Sequence, residues 1–169
     1  NFYAYIYLFI YDYLSRHVFY RFSLIFMCGI FGIISDSKVN LKKLSILAKN
    51  ARQRGKDSSG FLESDGLKYT INRYDYDLNK SIKNINPKSK IVIGHSRLVT
   101  NSMIDNQPVS KHEITVIHNG IIVNFEKLFN NYKLKQDLKV DTEIIVELFN
   151  FFLNQGKDLK IIINSVLSV

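Results

Sequence analysis

The chain has 169 residues, 46% hydrophobic and 22% charged, which suffices for one domain with a real core and is too apolar for a disordered polymer. Two prolines and eight glycines exclude a collagen-like or low-complexity chain, and a single cysteine excludes a disulfide framework and a Cys-rich zinc site. A net charge of +8 raises nucleic acid as a partner, but the lysines are scattered, no run exceeds Lys42-Lys43, and no aromatic–basic RNA motif occurs.

Residues 1–26, NFYAYIYLFIYDYLSRHVFYRFSLIF, differ from the rest. Their aromatics follow neither a period of 2 nor one of 3.6, and no Gly, Pro or cap punctuates them. Asp12 interrupts the apolar run well short of the roughly 18–20 residues that a membrane span needs. A signal peptide would have a basic n-region and a small-residue cleavage site, and neither is present. The segment is expected to be an upstream or non-native extension, with the domain proper beginning at Met27.

From Met27 onward, regular elements are legible. Cys28–Ile34 is a short apolar, β-rich run and reads as a buried strand. Leu41, Leu44, Leu47/Ala48 and Ala51 share one helical face, with Asn40 as N-cap, so a helix is expected over Leu41–Arg54. Arg54–Gly60 reads as a polar loop. Asp65-Gly66 marks a hairpin between Phe61–Glu63 and Leu67–Asn72. A strand is expected over Lys90–His95, then a loop through Pro108, then a strand at Ile114–Ile117 running into His118-Asn119-Gly120. Helices are expected over Val123–Tyr132, Thr142–Asn154 and Leu159–Leu167. Without regular βαβ alternation, the class is α+β.

Four features carry chemistry. Cys28, the lone cysteine, follows the only credible initiator methionine, so removal of Met27 would leave a thiol and a free α-amine on one residue. An α-amine titrates near 7.7–8.0 and can act as general base for the thiol; the alternative is a small buried core cysteine. Asn119 and Gly120 offer a side-chain and a backbone N–H for an oxyanion hole, or simply form an Asn-Gly turn. Arg97, beyond the strand ending at His95, can fork onto a carboxylate. Asp141 either caps the following helix or holds an ammonium. Arginine for carboxylate and aspartate for ammonium together would select an α-amino acid.

Met-Cys-Gly-Ile-Phe-Gly-Ile-Ile, Arg-Gly-Lys-Asp-Ser-Ser-Gly, Gly-His-Ser-Arg-Leu-Val-Thr, Asp-Asn-Gln-Pro-Val, His-Asn-Gly-Ile-Ile-Val-Asn and Asp-Thr-Glu-Ile-Ile follow one another in this order. Over residues 27 to about 150 the chain thereby resembles the class II glutamine amidotransferases, which are N-terminal-nucleophile hydrolases. The His-Asn-Gly-Ile-Ile-Val-Asn block looks most like the glutaminase domain of the glutamine–fructose-6-phosphate aminotransferases, which make glucosamine 6-phosphate. The Gln-Pro pair leans toward the amidophosphoribosyltransferases, and asparagine synthetases are a further relation.

The resemblance implies a four-layer α-β-β-α sandwich, truncated at its C-terminal end in this chain, with residues 27–169 forming a partial glutaminase domain. It implies that Cys28 attacks glutamine with its own α-amine shuttling the proton, and that Asn119 and Gly120 form the oxyanion hole. Arg97, with Thr100 nearby, would bind the α-carboxylate, Asp141 with Gly120 the α-amine, and Arg54 would support the nucleophile. No metal or cofactor is implied, and neither nucleic acid nor membrane is a partner. Glutamine is the substrate, and a sugar-isomerase-type acceptor domain, homo-oligomeric assembly and a cytoplasmic location belong to the longer protein. The aminotransferase pattern has Trp where this chain has Leu98, and His-Gly where it has Asn101-Ser102. A non-catalytic remnant that keeps the first half of the fold is the alternative.

Overall fold

The structure, a computed structural model, describes residues 28–75, 77–98 and 105–169, together with the backbone of Ile6–Leu8. In chain order the elements are β1 (Ile6–Leu8), β2 (Gly29–Ile34), α1 (Leu41–Arg52), β3 (Ser58–Ser64), β4 (Tyr69–Tyr74), α2 (Leu78–Ser81), β5 (Ile91–Arg97), β6 (Val109–Lys111), β7 (Ile114–Ile117), α3 (Phe125–Tyr132), α4 (Glu143–Asn154) and α5 (Leu159–Leu167).

Two sheets result. An antiparallel four-stranded sheet runs β2-β5-β3-β4, with Gly29 opposite Ser96 and Ser96 opposite Ser59. A three-stranded sheet runs β1-β7-β6, β1 lying parallel to β7 and β6 antiparallel to it. Because side chains alternate along a strand, each face of the larger sheet has its own population. Phe31, Phe61 and Val92 face α1 and α2, where they pack with Leu44, Ala48, Leu78 and Ile85. Asn40 holds the start of α1 by accepting from the Lys43 amide at 3.0 Å, and Gly29 lets β2 lie against this helix, since a Cβ there would sit 2.2 Å from the Ala51 carbonyl.

The smaller sheet is covered by α3, α4 and α5. Helix α4 buries Ile144, Ile145, Val146, Leu148, Phe149 and Phe152, so it is apolar nearly all round, as a central helix must be. It packs on Val109, Ile114 and Val116 of the sheet and on Ile162 of α5. The opposite face of the larger sheet turns toward the smaller one. There the segment Asn106–Pro108 is tied down: Asn106 Nδ2 donates to the Ser59 and Tyr74 carbonyls, and Arg73 Nε donates to the Pro108 carbonyl at 2.8 Å. Helices, sheet, sheet, helices is the layer order, and the class is α+β.

Several expectations are corrected. Strand β3 starts at Ser58, so the polar loop after α1 is shorter than its composition implies, and β5 runs on to Arg97. The short helix α2 and strand β6 were not legible as elements. Strand β6 turns into β7 through His112 and Glu113, both at positive φ (52° and 63°), a conformation suited to a two-residue hairpin but normally signalled by Asn or Gly. Helix α3 begins at Phe125 rather than Val123. Most of the N-terminal extension, including Met27, lies outside the described residues.

Candidate active site

Alternation places Cys28 and Arg97 on the inter-sheet face. Cys28 directly precedes β2 and Arg97 ends β5 beside it, so both project toward the smaller sheet. From that side come His118-Asn119-Gly120, at the end of β7, and Asp141, just before α4. Cys28, Arg97, Asn119, Gly120 and Asp141 line one cavity of about 380 Å³, within the range of about 300–1,000 Å³ common for small-molecule sites. Leu98, Gln107, His118, Lys139 and the apolar stretch Ile121–Val123 are also in its wall.

The Cys28 thiol donates a long hydrogen bond, 3.9 Å, to the Leu98 carbonyl. Burial pushes its pKa up, the Arg97 charge pulls it down and the Asp141 carboxylate opposes Arg97. A thiol held above its ordinary range needs a base to become a nucleophile. The Arg97 guanidinium is buried and donates to the Asp105 carbonyl. Asp141 does not cap α4. The N-cap position belongs to Thr142, without a side-chain cap bond, and Asp141 instead accepts from the Ile122 amide at 2.7 Å, across the cavity. Gly120 does not adopt a positive φ, and a Cβ there would sit 2.8 Å from His118 Nε2, so a larger residue would have to displace that imidazole.

Behind the cavity stands a row of buried polar groups without hydrogen-bond partners among the described residues: Ser58 Oγ, both ring nitrogens of His95, and His118 Nδ1. Burial pushes the His95 pKa down to about 3, and the Arg97 and His118 charges add to that. Burial likewise lowers that of His118, against the pull of Asp141. Both imidazoles are therefore neutral near pH 7. Among the described residues, no cluster of three or more His, Cys, Asp or Glu side chains could hold a metal ion.

Glutamine–fructose-6-phosphate aminotransferase of Staphylococcus epidermidis is 31% identical to this chain over 140 residues, which are 77% of the chain and 23% of that protein. The enzyme of the same name from Sulfolobus acidocaldarius is 33% identical over 148 residues, 78% of this chain and 25% of that one. Among solved structures, a glutamine phosphoribosylpyrophosphate amidotransferase from B. subtilis superposes with a TM-score of 0.67 at 25% identity, over 83% of this chain and 32% of that one. The chain belongs to the class II glutamine amidotransferases. It spans about a quarter of the length of these curated relatives, and no family model matches it.

Not every residue expected from the amidotransferase resemblance lines the cavity. Arg54 is exposed and borders a separate hollow of about 250 Å³ with Gly29, Ile30 and Phe31, on the α1 side of the nucleophile's strand. Thr100 lies outside the described residues, as do Asn101 and Ser102. Sequence reasoning did not single out Gln107, His95 or Lys139. For Gln107 a signal existed, the Gln-Pro pair within the amidotransferase-like Asp-Asn-Gln-Pro-Val block. His95 likewise lies in the Gly-His-Ser-Arg-Leu-Val-Thr block, whereas Lys139 lies in none of the blocks and its place follows only from the folded chain.

Proposed function

We propose that this cavity hydrolyses glutamine and releases ammonia, with Cys28 as nucleophile. The observation that carries the reading is the single cavity shared by the thiol, the Asn119-Gly120 donors, the Arg97 cation and the Asp141 carboxylate. In the form that begins at Cys28, the neutral α-amine takes the thiol proton. The sulfur then bonds to the side-chain amide carbon of glutamine, and the carbonyl electrons move onto oxygen, where the Asn119 side chain and the Gly120 amide stabilise them. As the carbonyl re-forms, the C–N bond breaks and the leaving nitrogen takes the proton from the α-ammonium, departing as ammonia. Water, deprotonated by the same amine, attacks the γ-glutamyl thioester, and the C–S bond breaks to give glutamate and the thiol. Arg97 holds the substrate α-carboxylate and Asp141 its α-ammonium. Arg54 supports the start of β2, and Thr100 assists Arg97.

In the longer protein the ammonia would pass to a sugar phosphate held by a sugar-isomerase-type domain, as the name of the curated relatives suggests. The likeness to a phosphoribosylpyrophosphate amidotransferase, together with the Gln107-Pro108 pair, supports a phosphoribosyl acceptor as the second reading. Homo-oligomeric assembly in the cytoplasm accompanies either. Cleavage after Met27 removes edge strand β1 from the smaller sheet and keeps every described residue of the two hydrophobic clusters, which run from Phe31 onward. Ammonia release by that cleaved form is expected to exceed background and to fall to it in Cys28→Ala. The uncleaved chain, with its amine acylated, should be inactive. Equal rates for Cys28→Ala and the parent would overturn the assignment of the nucleophile, and turnover by the uncleaved chain would overturn the role of the amine.

A further inference from the structure

The groups assigned to glutamine come from two sheets. Cys28 and Arg97 belong to the larger one, whereas Asn119, Gly120 and Asp141 are carried by β7 and the start of α4. Their mutual geometry depends on how the sheets are registered against each other, and apolar packing alone fixes that loosely. A polar tie spans the gap. Gln107 is 5% exposed. Its Oε1 accepts from the His118 amide at 2.7 Å, and its Nε2 donates to Thr142 Oγ1 at 3.0 Å. His118 directly precedes Asn119 and Gly120, and Thr142 directly follows Asp141. One side chain therefore grips both segments that face the nucleophile.

The backbone of Gln107 is anchored to the other sheet. Its carbonyl lies so close to Gly60 of β3 that a Cβ there would come within 1.9 Å of it. Its amide donates to Asn106 Oδ1 at 2.8 Å, and the Asn106 amide group in turn donates to the Ser59 carbonyl at 2.9 Å. The chain of contacts runs unbroken from β3, through Asn106 and Gln107, to β7 and α4.

We propose that Gln107 is a positioning residue that sets the Asn119-Gly120 donors and Asp141 at working distance from Cys28, so that its loss impairs recognition of the glutamine amide while leaving the thiol itself reactive. This rests on the glutaminase reading above. A misplacement of about 1 Å can cost a reaction as much as about 10²-fold, and the buried amide of Gln107 bonds both segments at once.

The test compares two electrophiles on the form cleaved after Met27. A glutamine-analogue chloroketone must occupy the site to alkylate Cys28, whereas iodoacetamide needs only an accessible thiol. Gln107→Met keeps the bulk and removes both hydrogen bonds. It is expected to slow saturable labelling by the analogue by about tenfold or more and to leave iodoacetamide labelling within about twofold of the parent. Thr142→Val is expected to show the same split more weakly, and the two effects should be less than additive in the double variant, as for residues acting through one contact. Thr142→Val also supplies the answer if Gln107→Met fails to fold. Unchanged analogue labelling in the variants overturns the positioning role and leaves the glutaminase reading standing. Equal slowing of both reagents also overturns it, since general loosening then suffices. Absence of saturable analogue labelling in the parent overturns the glutaminase reading and this inference with it.

Discussion

Two buried polar regions flank α4's sheet, and they treat their polar atoms in opposite ways. At one end, Lys111 Nζ meets Asp137 and Glu143 at 2.8 Å each and Glu147 at 2.5 Å. Glu143, whose side chain is 0% exposed, also accepts from the Asp137 and Leu138 amides. Burial works against the Lys111 charge, but these hydrogen bonds outweigh it and hold the lysine well above its ordinary range. Hydrogen bonds from Lys111 and Lys135 pull Asp137 down to about 2. At the other end, behind Cys28, Ser58, His95 and His118 leave four buried polar atoms without partners among the described residues. A satisfied network contributes rigidity; unsatisfied buried groups cost stability and are concentrated where chemistry is done. The contrast implies that the first region holds the loop leading to Asp141 and the second holds the reaction.

The largest effect on that contrast is expected from Lys111→Met. Removing the cation leaves the buried Glu143 carboxylate with backbone donors only, and breaking such a pair typically costs about 3–5 kcal/mol. The retained amide bonds place this case at the lower end, about 3 kcal/mol. Urea denaturation should show the loss as a lower midpoint at unchanged slope. Iodoacetamide labelling of Cys28 in the folded fraction should stay near the parent rate. A variant as stable as the parent would remove the distinction between the two regions.

Asn119→Ala is the converse. The loss of one oxyanion donor costs about 10²–10³ in rate, or about 2.7–4 kcal/mol of transition-state stabilisation, while a half-exposed polar side chain contributes little to folding. Glutamine hydrolysis by the form cleaved after Met27 should fall by that factor, chiefly in kcat, with the denaturation midpoint almost unmoved. A loss confined to KM would mean that Asn119 binds substrate and does not stabilise the oxyanion.

How far the sequence foretold these regions depends on whether a residue's neighbours are local. Helix α5 spans Leu159–Leu167 as expected, and its start is held locally, Asp158 accepting from the Ile161 amide three residues on. Cys28, Arg97, Asn119, Gly120 and Asp141, which line one cavity, were singled out through the family-like blocks that carry them rather than through their neighbours in space. Strand β6 was not legible, since three residues show no period and its turn at His112-Glu113 lacks the Asn or Gly that usually announces one. Asp141 reads as a helix cap in one dimension and is an inter-segment acceptor in three. The partners of Gln107 lie 11 and 35 residues away, so its role exists only once the sheets have met.

The smallest expected effect is a pH dependence of stability, and its sign follows from His95. An unfolded histidine titrates near 6.5, whereas in the fold burial lowers His95 to about 3. Between these values the unfolded chain binds the proton and the folded one does not. Stability therefore rises with pH across this window, by up to about 1.4 kcal/mol per pH unit for one group, and is fully present above about 6.5. Asp137 works in the same direction only at lower pH, between about 3.8 and about 2, so the interval from about 4.5 to 6.5 isolates the histidines. Arg97 on the same strand and His118 from the facing sheet are the charged or titratable groups that act on His95, and His118, lowered in the same direction, supplies the remaining slope. His95→Leu should flatten the dependence of the urea midpoint on pH over that interval without abolishing it. The same slope in variant and parent would mean that His95 gains a partner in solution, and the line between a satisfied structural network and an unsatisfied reactive one would then have to be drawn around His118 alone.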